Sequence, residues 1–374
     1  MTSEERRQGR YLRRVEKREA KRLAYNKPYD DFSTVIDLNH LLHAARMSRK
    51  GVFKKTSVQK YNVNLMANVV ESRRMLLNGD DVREGFIEFD LNERGKTRHI
   101  KAMHVRERVI QRCLCDYALV PVLRRSLVYD NGASLSGKGI HFTLFRLKKM
   151  LQKYIRKHGV NGYIALVDFT GYFDNIMHLP IYELLKKNFR DERIRQLTWR
   201  FVKAFGTSSL GIGSQVSQII AISYPSRVDH MIKEKFQNGS SARYMDDSYI
   251  IDSCRERLED TLIECFNEWR KLGIVISDRK SRIVPLRNFT FMKVRYRITN
   301  TGKVLMLPNP KSFTVMRRKL RAFKKFLDDG SMTLDQVVCA YQSWYGYQKH
   351  FNGYKRLKRM DNYFNSLFES EVCT

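Results

Sequence analysis

The sequence, 374 residues long, has no apolar run of the roughly 18 residues that a membrane-spanning helix requires. No apolar signal core follows its first residues, so a secretory leader is not expected. Cysteine is sparse: six residues, at 113, 115, 254, 265, 339 and 373, whose spacing fits neither a disulfide framework nor a zinc site. They read as reduced thiols. Internal repeats and low-complexity linkers are missing too, so any subdomains are expected to interleave. Acid is in short supply, with 39 Asp and Glu against 70 Lys and Arg, a formal net charge of +31. These absences leave a soluble, cytoplasmic chain as the expectation. Apolar residues make up 43%, which argues against disorder. A compact chain this basic repels itself, so a polyanion is the natural partner, with an anionic membrane surface as the rival.

The basic excess starts early. Residues 1 to about 27 are dense in Arg, Lys and Glu and read as a solvated helical arm or one that contacts RNA backbone. Alternation in Phe86–Phe89 and His99–Ala102 predicts a hairpin turning at Asn92-Glu93-Arg94-Gly95. A helix follows from about 104, with Val105, Val109, Cys113 and Tyr117 inward and His104, Arg108 and Arg112 on a separate basic face. A basic amphipathic helix is predicted over 141–158, a buried strand over 163–169 and helices to about 205. A Gly-rich turn at 211–214 opens one helix through about 236. A hairpin over 242–252, a helix over 255–271 and short strands near 274–276, 282–285 and 289–298 come next, and the last 65 residues read as helical and basic.

Three acids stand out chemically. Asp246 and Asp247 sit between β-rich flanks, at a hairpin tip, where adjacent carboxylates crowd negative charge unless cations or water offset it. For an isolated Asp-Asp pair a solvated turn is the commoner explanation. Asp168 ends the apolar run Tyr163–Val167, and a lone carboxylate there is costly unless it is paired or binds metal. On neighbouring strands these elements bring Asp168 beside Asp246. Mg²⁺ takes a few carboxylate oxygens plus substrate phosphates, and two such ions suit in-line displacement at phosphorus.

Tyr244-Met245-Asp246-Asp247 resembles the signature tetrapeptide of reverse transcriptases, and its neighbours follow in that family's order. Asp168–Phe173 resembles the first catalytic block, Ile212–Gln218 the block between the acidic motifs, Leu272–Lys280 the block after the hairpin, and Phe289–Ile298 the primer-grip strands. Lys96-Thr97-Arg98 and Ser136-Gly137-Lys138-Gly139 resemble fingers motifs. The resemblance spans about 85–350. It implies an α+β right-hand polymerase fold of fingers, palm and thumb, its antiparallel palm sheet backed by helices. The expected divisions are a basic arm (1–30), fingers (31–160), palm (161–298) and helical thumb (299–374).

The resemblance also implies roles. Asp168 and Asp246 bind two Mg²⁺ ions, for which Mn²⁺ is a substitute, and Asp247 assists. Phe173 excludes a 2′-hydroxyl. Arg98 and Lys96 meet the triphosphate, Gly213, Ser217 and Gln218 line the nucleotide and template pocket, and Lys280 protonates or screens pyrophosphate. In the thumb, Met316, Leu320, Phe323 and Leu327 make an apolar stripe, while Arg317, Arg321 and Lys324 make a basic one that tracks a duplex backbone. Tyr341, Trp344, Tyr345 and Tyr347 read as thumb core rather than stacking platforms. The implied partners are an RNA template, a DNA primer or product and deoxynucleoside triphosphates, with no membrane; an accessory protein or homo-oligomer stays open.

Within the family, the Ser217-Gln218 ending and Ser343-Trp344-Tyr345-Gly346 resemble reverse transcriptases of diversity-generating retroelements, and small phage-defence enzymes share the same core. No ribonuclease H domain or HNH-like Cys/His array is legible. The alternatives are an RNA-dependent RNA polymerase, a template-independent or protein-primed polymerase, and a non-catalytic RNA-binding protein of the same fold.

Overall fold

The structure is a computed structural model that describes residues 2–93 and 96–372, without the side chains of Glu93, Lys96, Arg98 and residues 369–372. It opens with α1 (Ser3–Asn26), α2 (Ser33–Ile36), α3 (Leu38–Ser48), α4 (Thr56–Val63) and α5 (Leu65–Asn78). Thr2 and Glu5 close a capping box at the start of α1. Its last residue, Asn26, is buried and donates its side-chain amide to the Asn188 carbonyl at 3.1 Å. β1 (Phe86–Glu93) and β2 (Lys96–Met103) form the expected antiparallel ribbon, Phe89 opposite Ile100. Arg94 and Gly95 of its predicted turn lie outside the described residues.

α6 (Val105–Leu114) continues through a π-turn at Cys115–Leu119 into α7 (Val120–Arg124). Pro121 accounts for the widened turn, since it offers no N–H to the carbonyl four residues back and its ring would clash there. Val109 and Cys113 are buried as the period predicts, and His104, Arg108 and Arg112 are half-buried. Glu107 and Gln111 are buried as well, so α6 hides polar groups that a two-face reading leaves in solvent.

After α8 (Ile140–His158) comes β3 (Tyr163–Thr170), then α9 (His178–Asn188), α10 (Glu192–Lys203), α11 (Gln215–Ser223) and α12 (Ser226–Glu234). The single helix expected to about 236 is therefore two, broken where Pro225 cannot continue the hydrogen-bond ladder. β4 (Ser241–Tyr244) and β5 (Asp247–Asp252) make the predicted hairpin and α13 (Arg255–Lys271) follows. β6 (Val275–Ile276), β7 (Arg282–Pro285), β8 (Asn288–Phe291), β9 (Val294–Ile298) and β10 (Val304–Leu307) precede α14 (Pro310–Asp328), α15 (Leu334–Gln348) and α16 (Tyr354–Val372). β10, which lacks a long alternating run of its own, pairs with β9.

β3 is the centre of the main sheet. β5 lies along one edge of it and β4 beyond, while β7 and β6 share its other edge, all antiparallel. Both faces of β3 are covered. Ala165, Val167 and Phe169 pack into a cluster with the helices around α6, α11 and α13. Ile164 and Leu166 pack with α8 and the β8–β10 sheet. Burying a large apolar side chain contributes about 1.5–3 kcal/mol, so this strand is fixed from two sides. A third cluster, with Met316, Leu320, Val337, Tyr341, Met360 and Phe368, joins α14–α16. Phe323, Leu327, Trp344 and Tyr345 pack against it, as the core reading expects. Among the described residues no helix is long and apolar enough to cross a membrane.

Candidate active site

Strand parity decides where the acids go. Side chains alternate along a strand, so Asp168 shares a face with Ile164 and Leu166, and Asp247 shares one with Tyr249 and Ile251. Those four apolar residues belong to the same cluster. The ladder places Asp168 directly opposite Asp247, and the Phe169 N–H donates to the Asp246 carbonyl at 3.2 Å. All three acids thus meet at one end of the sheet, with Asp247 rather than Asp246 as the cross-strand partner of Asp168. Met245 takes a left-handed φ of +53° in the intervening turn. Asp168 is also held from the far edge of β3. Its N–H donates to Ser281 Oγ at 3.2 Å, and its carbonyl accepts from the Ser277 N–H at 2.9 Å. From the same loop, Lys280 Nζ donates to Asp168 Oδ1 at 2.5 Å.

The crowding has an electrostatic signature. Burial, then the Asp246 and Asp168 charges, push the Asp247 carboxyl from 3.8 up to about 7, against smaller opposing effects of Lys280 and Lys293. Burial and the same hairpin's two acids raise the Tyr244 hydroxyl. As the side chains stand, no three described His, Cys, Asp or Glu residues close around one point tightly enough to hold a metal ion. Lys280 occupies part of the space by pairing with Asp168. The donor chemistry nonetheless fits a hard divalent cation: carboxylate oxygens only, with an excess of negative charge that a cation relieves.

Beneath the hairpin lies a support that the sequence reading missed. Arg243 is 1% exposed, and its guanidinium donates to both Asp229 carboxylate oxygens at 2.7–3.1 Å, to the Ile222 carbonyl at 2.7 Å and to the Met245 carbonyl at 3.3 Å. The ion pair thereby ties the strained turn residue to α11 and α12. The available signal was an arginine inside the short strand that leads into the acids.

A second buried relay fixes the start of α11. The Ser217 N–H donates to Ser214 Oγ at 3.1 Å, the Ser214 hydroxyl to Gln111 Oε1 at 2.9 Å, and Gln111 Nε2 to Glu107 Oε1 at 3.3 Å. Burial lifts the Glu107 carboxyl from 4.5 to about 7. Gly213, at φ +114°, lies just ahead of the cap, where a Cβ would stand 3.4 Å from the Lys101 carbonyl on β2. Gly213 and Gln218 line a cavity of about 410 Å³ with Arg108, Arg112 and Lys50. Gln218 Oε1 accepts from the Ser134 hydroxyl at 3.4 Å. Ser217, expected on the same wall, is fully buried with its hydroxyl unpartnered inside the protein, because the helix turns it toward the core.

The other predicted residues divide. Phe173 packs, half-buried, against the main core, and its carbonyl accepts from the Leu210 N–H at 2.7 Å. Lys96 and Arg98 have their backbones in β2, opposite Glu93 and Leu91, while their side chains lie outside the described residues. On α14, Arg317 and Arg321 are exposed, the former 5.1 Å from the Tyr363 ring, and Lys324 pairs with Asp328 at 3.2 Å. The helix that carries them packs with α15 and α16. Cys113, Cys115, Cys254, Cys265 and Cys339 are free thiols, and Cys373 lies outside the described residues.

Residues 88–296 match the family described as reverse transcriptase (RNA-dependent DNA polymerase). No curated protein matches the chain. Among solved structures it is similar to an apo telomerase from Candida tropicalis truncated from its C-terminal domain, at 12% identity and a TM-score of 0.44, over 59% of this chain and 54% of that one. It is also similar to a telomerase from Candida albicans in complex with a TWJ fragment of telomeric RNA, at 12% identity and a TM-score of 0.49, over 77% of this chain and 55% of that one. The chain thus spans about half the length of each of these two proteins.

Proposed function

The chain belongs to the reverse transcriptase (RNA-dependent DNA polymerase) family and has its right-hand polymerase fold, and we propose that it copies an RNA template into DNA by nucleotidyl transfer at Asp168, Asp246 and Asp247. One observation carries this reading: Asp168 faces Asp247 across the β3–β5 ladder, beside Asp246, in surroundings that push Asp247 to about 7. We assign residues 31–160 to the fingers, 161–298 to the palm and 299–374 to the thumb.

In the reaction a primer 3′-hydroxyl attacks the α-phosphorus of a deoxynucleoside triphosphate in line with the departing pyrophosphate. Asp168, Asp246 and Asp247 would hold two Mg²⁺ ions, with Mn²⁺ as a substitute. Bound there, the metal supplies Lewis acidity that activates the hydroxyl and neutralises the triphosphate. Lys280, freed from Asp168 when the acids are neutralised, screens or protonates the leaving group. Phe173 fills the space under the sugar and disfavours a 2′-hydroxyl. Lys96 and Arg98 on the ribbon meet the triphosphate, and Gly213 and Gln218 meet the base pair. Arg317, Arg321 and Lys324 contact the duplex backbone.

The test offers one RNA-templated primer with deoxynucleotides or ribonucleotides. The reading predicts deoxynucleotide addition, with Phe173→Ala relaxing the preference at least tenfold. Preferred ribonucleotide addition by the unaltered protein would overturn it.

The setting we infer, from the Ser217-Gln218 ending and the exposed Gln218 amide, is a diversity-generating retroelement or a phage-defence system with a structured noncoding RNA. Sequencing the nucleic acid that copurifies distinguishes the two. A repeat-encoded template with adenine-directed errors indicates diversification. Products without a template, or joined to protein, indicate a template-independent or protein-primed enzyme instead.

A further inference from the structure

The proposed chemistry makes no use of α1. Between residues 6 and 22 it carries nine Arg and Lys. At 3.6 residues per turn, Arg6, Arg10, Arg13, Lys17 and Lys21 fall within an arc of about 80° and run roughly 22 Å along the axis. Arg7, Arg14 and Arg18 flank that stripe on one side and Glu16 on the other, while Glu5, Gln8, Tyr11, Leu12, Val15 and Glu19 lie opposite it. Every residue of the stripe is exposed. Glu19 takes its ion pairs from Arg22 at 3.2 Å and Arg190 at 3.8 Å. Among the described residues no acid pairs with the stripe.

That arrangement works against the helix. Like charges stand at i, i+4 in Arg6/Arg10, Arg10/Arg14, Arg13/Lys17, Arg14/Arg18 and Lys17/Lys21, each pair costing about 0.2–0.5 kcal/mol. Among the described residues α1 is tied to the body near its end, where Glu19 pairs with Arg190 and Asn26 donates to the Asn188 carbonyl. A polyanion laid along the stripe removes the cost and receives one or two cations per 5.4 Å turn. A second observation marks where such a ligand continues onto the body. Arg18, Lys21 and Arg22 converge with Arg125 on a cavity of about 290 Å³ whose lining includes no acid. The Arg125 guanidinium lies 4.1 Å from the Tyr25 ring, which holds it at that position.

We propose that the basic face of α1, with the cavity at its base, is a docking surface for the sugar–phosphate backbone of a structured RNA. It shares no residue with the acid site. Only the identity of the polyanion rests on the reverse-transcriptase reading. A membrane surface fits less well, because a helix lying on lipid needs a continuous apolar face. Here the face opposite the stripe mixes Gln8 and Glu19 with the exposed apolar residues Tyr11, Leu12 and Val15, which fill only about one turn.

The experiment uses the full chain with Arg6, Arg10, Arg13 and Lys17 all changed to Gln, and a second variant with the three arginines changed to Lys. The probes are a fluorescent RNA hairpin, phosphatidylserine vesicles, and a short primed template confined to the cleft. Circular dichroism checks that both variants keep their helix. The Gln variant is expected to bind the hairpin at least tenfold more weakly. Its slope of log affinity against log salt should flatten by about 2–4, since each phosphate contact contributes roughly 0.7–0.9. The Lys variant should bind normally, and both should extend the short template as the unaltered protein does. Unchanged hairpin affinity and slope in the Gln variant would overturn the proposal. So would loss of vesicle binding in place of hairpin binding, or parallel loss of hairpin binding and short-template extension. If the unaltered protein extends no primer, the hairpin measurement still decides the role of α1.

Discussion

At Asp247 burial and two neighbouring carboxylates act in the same direction, and the charged form bears the cost. Its folded-state pKa is raised from 3.8 to about 7. The stability gained by keeping the proton is therefore complete below about pH 4 and lost as pH rises through 7. Asp247→Asn removes the penalty. Without divalent cations its melting temperature should exceed that of the unaltered protein at pH 8, with the gap closing as pH falls toward 4. Added Mg²⁺ should stabilise the unaltered protein more than the variant, which keeps Asp168 and Asp246. A gap that does not depend on pH would show that the three acids do not crowd one another. Glu107 obeys the same sign, and there too burial comes first among the causes. Its shift from 4.5 to about 7 corresponds to roughly 3 kcal/mol at pH 8. Glu107→Gln should recover much of that in urea unfolding at pH 8 and almost none at pH 4, with little effect on copying.

The β4–β5 hairpin depends on Arg243 as an element depends on its foundation. Arg243→Ala leaves the Asp229 carboxylate buried and uncompensated, which costs about 3–5 kcal/mol. Replacing both partners, Arg243→Met with Asp229→Leu, should restore most of the stability measured by urea unfolding. Primer extension should stay impaired, because the Met245 carbonyl loses its guanidinium donor. Full recovery of extension in the double variant would reduce the pair to packing. At the start of α11, Gly213→Ala forces a side chain into a left-handed φ against the Lys101 carbonyl. It should cost about 1–2 kcal/mol in thermal unfolding. These two elements also show what a sequence reveals. The 163–169 strand was legible as a β-rich apolar run that meets an acid, and the 242–252 hairpin as two β-rich flanks around adjacent acids. Helix 255–271 was legible because its apolar period is clean. Arg243, Glu107 and Gln111 were not, since pattern reading sends charged and polar residues to solvent and only tertiary packing hides them. The break at Pro225 and the strand Val304–Leu307 escaped for a related reason. Apolar periodicity runs up to Pro225 from both sides, and β10 is defined by its pairing to β9 rather than by its own residues.

Across the whole molecule the net charge of +31 and the three separate clusters describe one division of labour. The two larger clusters clamp β3 from both faces and so fix Asp168. The third carries α14, whose Arg317 and Arg321 stand exposed. Affinity for a primed RNA template should therefore fall steeply between low and moderate salt, while the rate of a bound complex changes far less. Comparable salt sensitivity in both quantities would mean that the charge serves chemistry rather than binding. The central claim is that Asp168, Asp246 and Asp247 form a polymerase centre. Single-nucleotide extension of a defined DNA primer on an RNA template tests it most directly, with Mg²⁺ or Mn²⁺, in the unaltered chain and in folded Asp168→Asn and Asp246→Asn variants. The account predicts addition of the complementary deoxynucleotide by the unaltered chain and a loss of at least a thousandfold in each variant. Undiminished extension by either variant, or none by the unaltered chain with either metal, would contradict it.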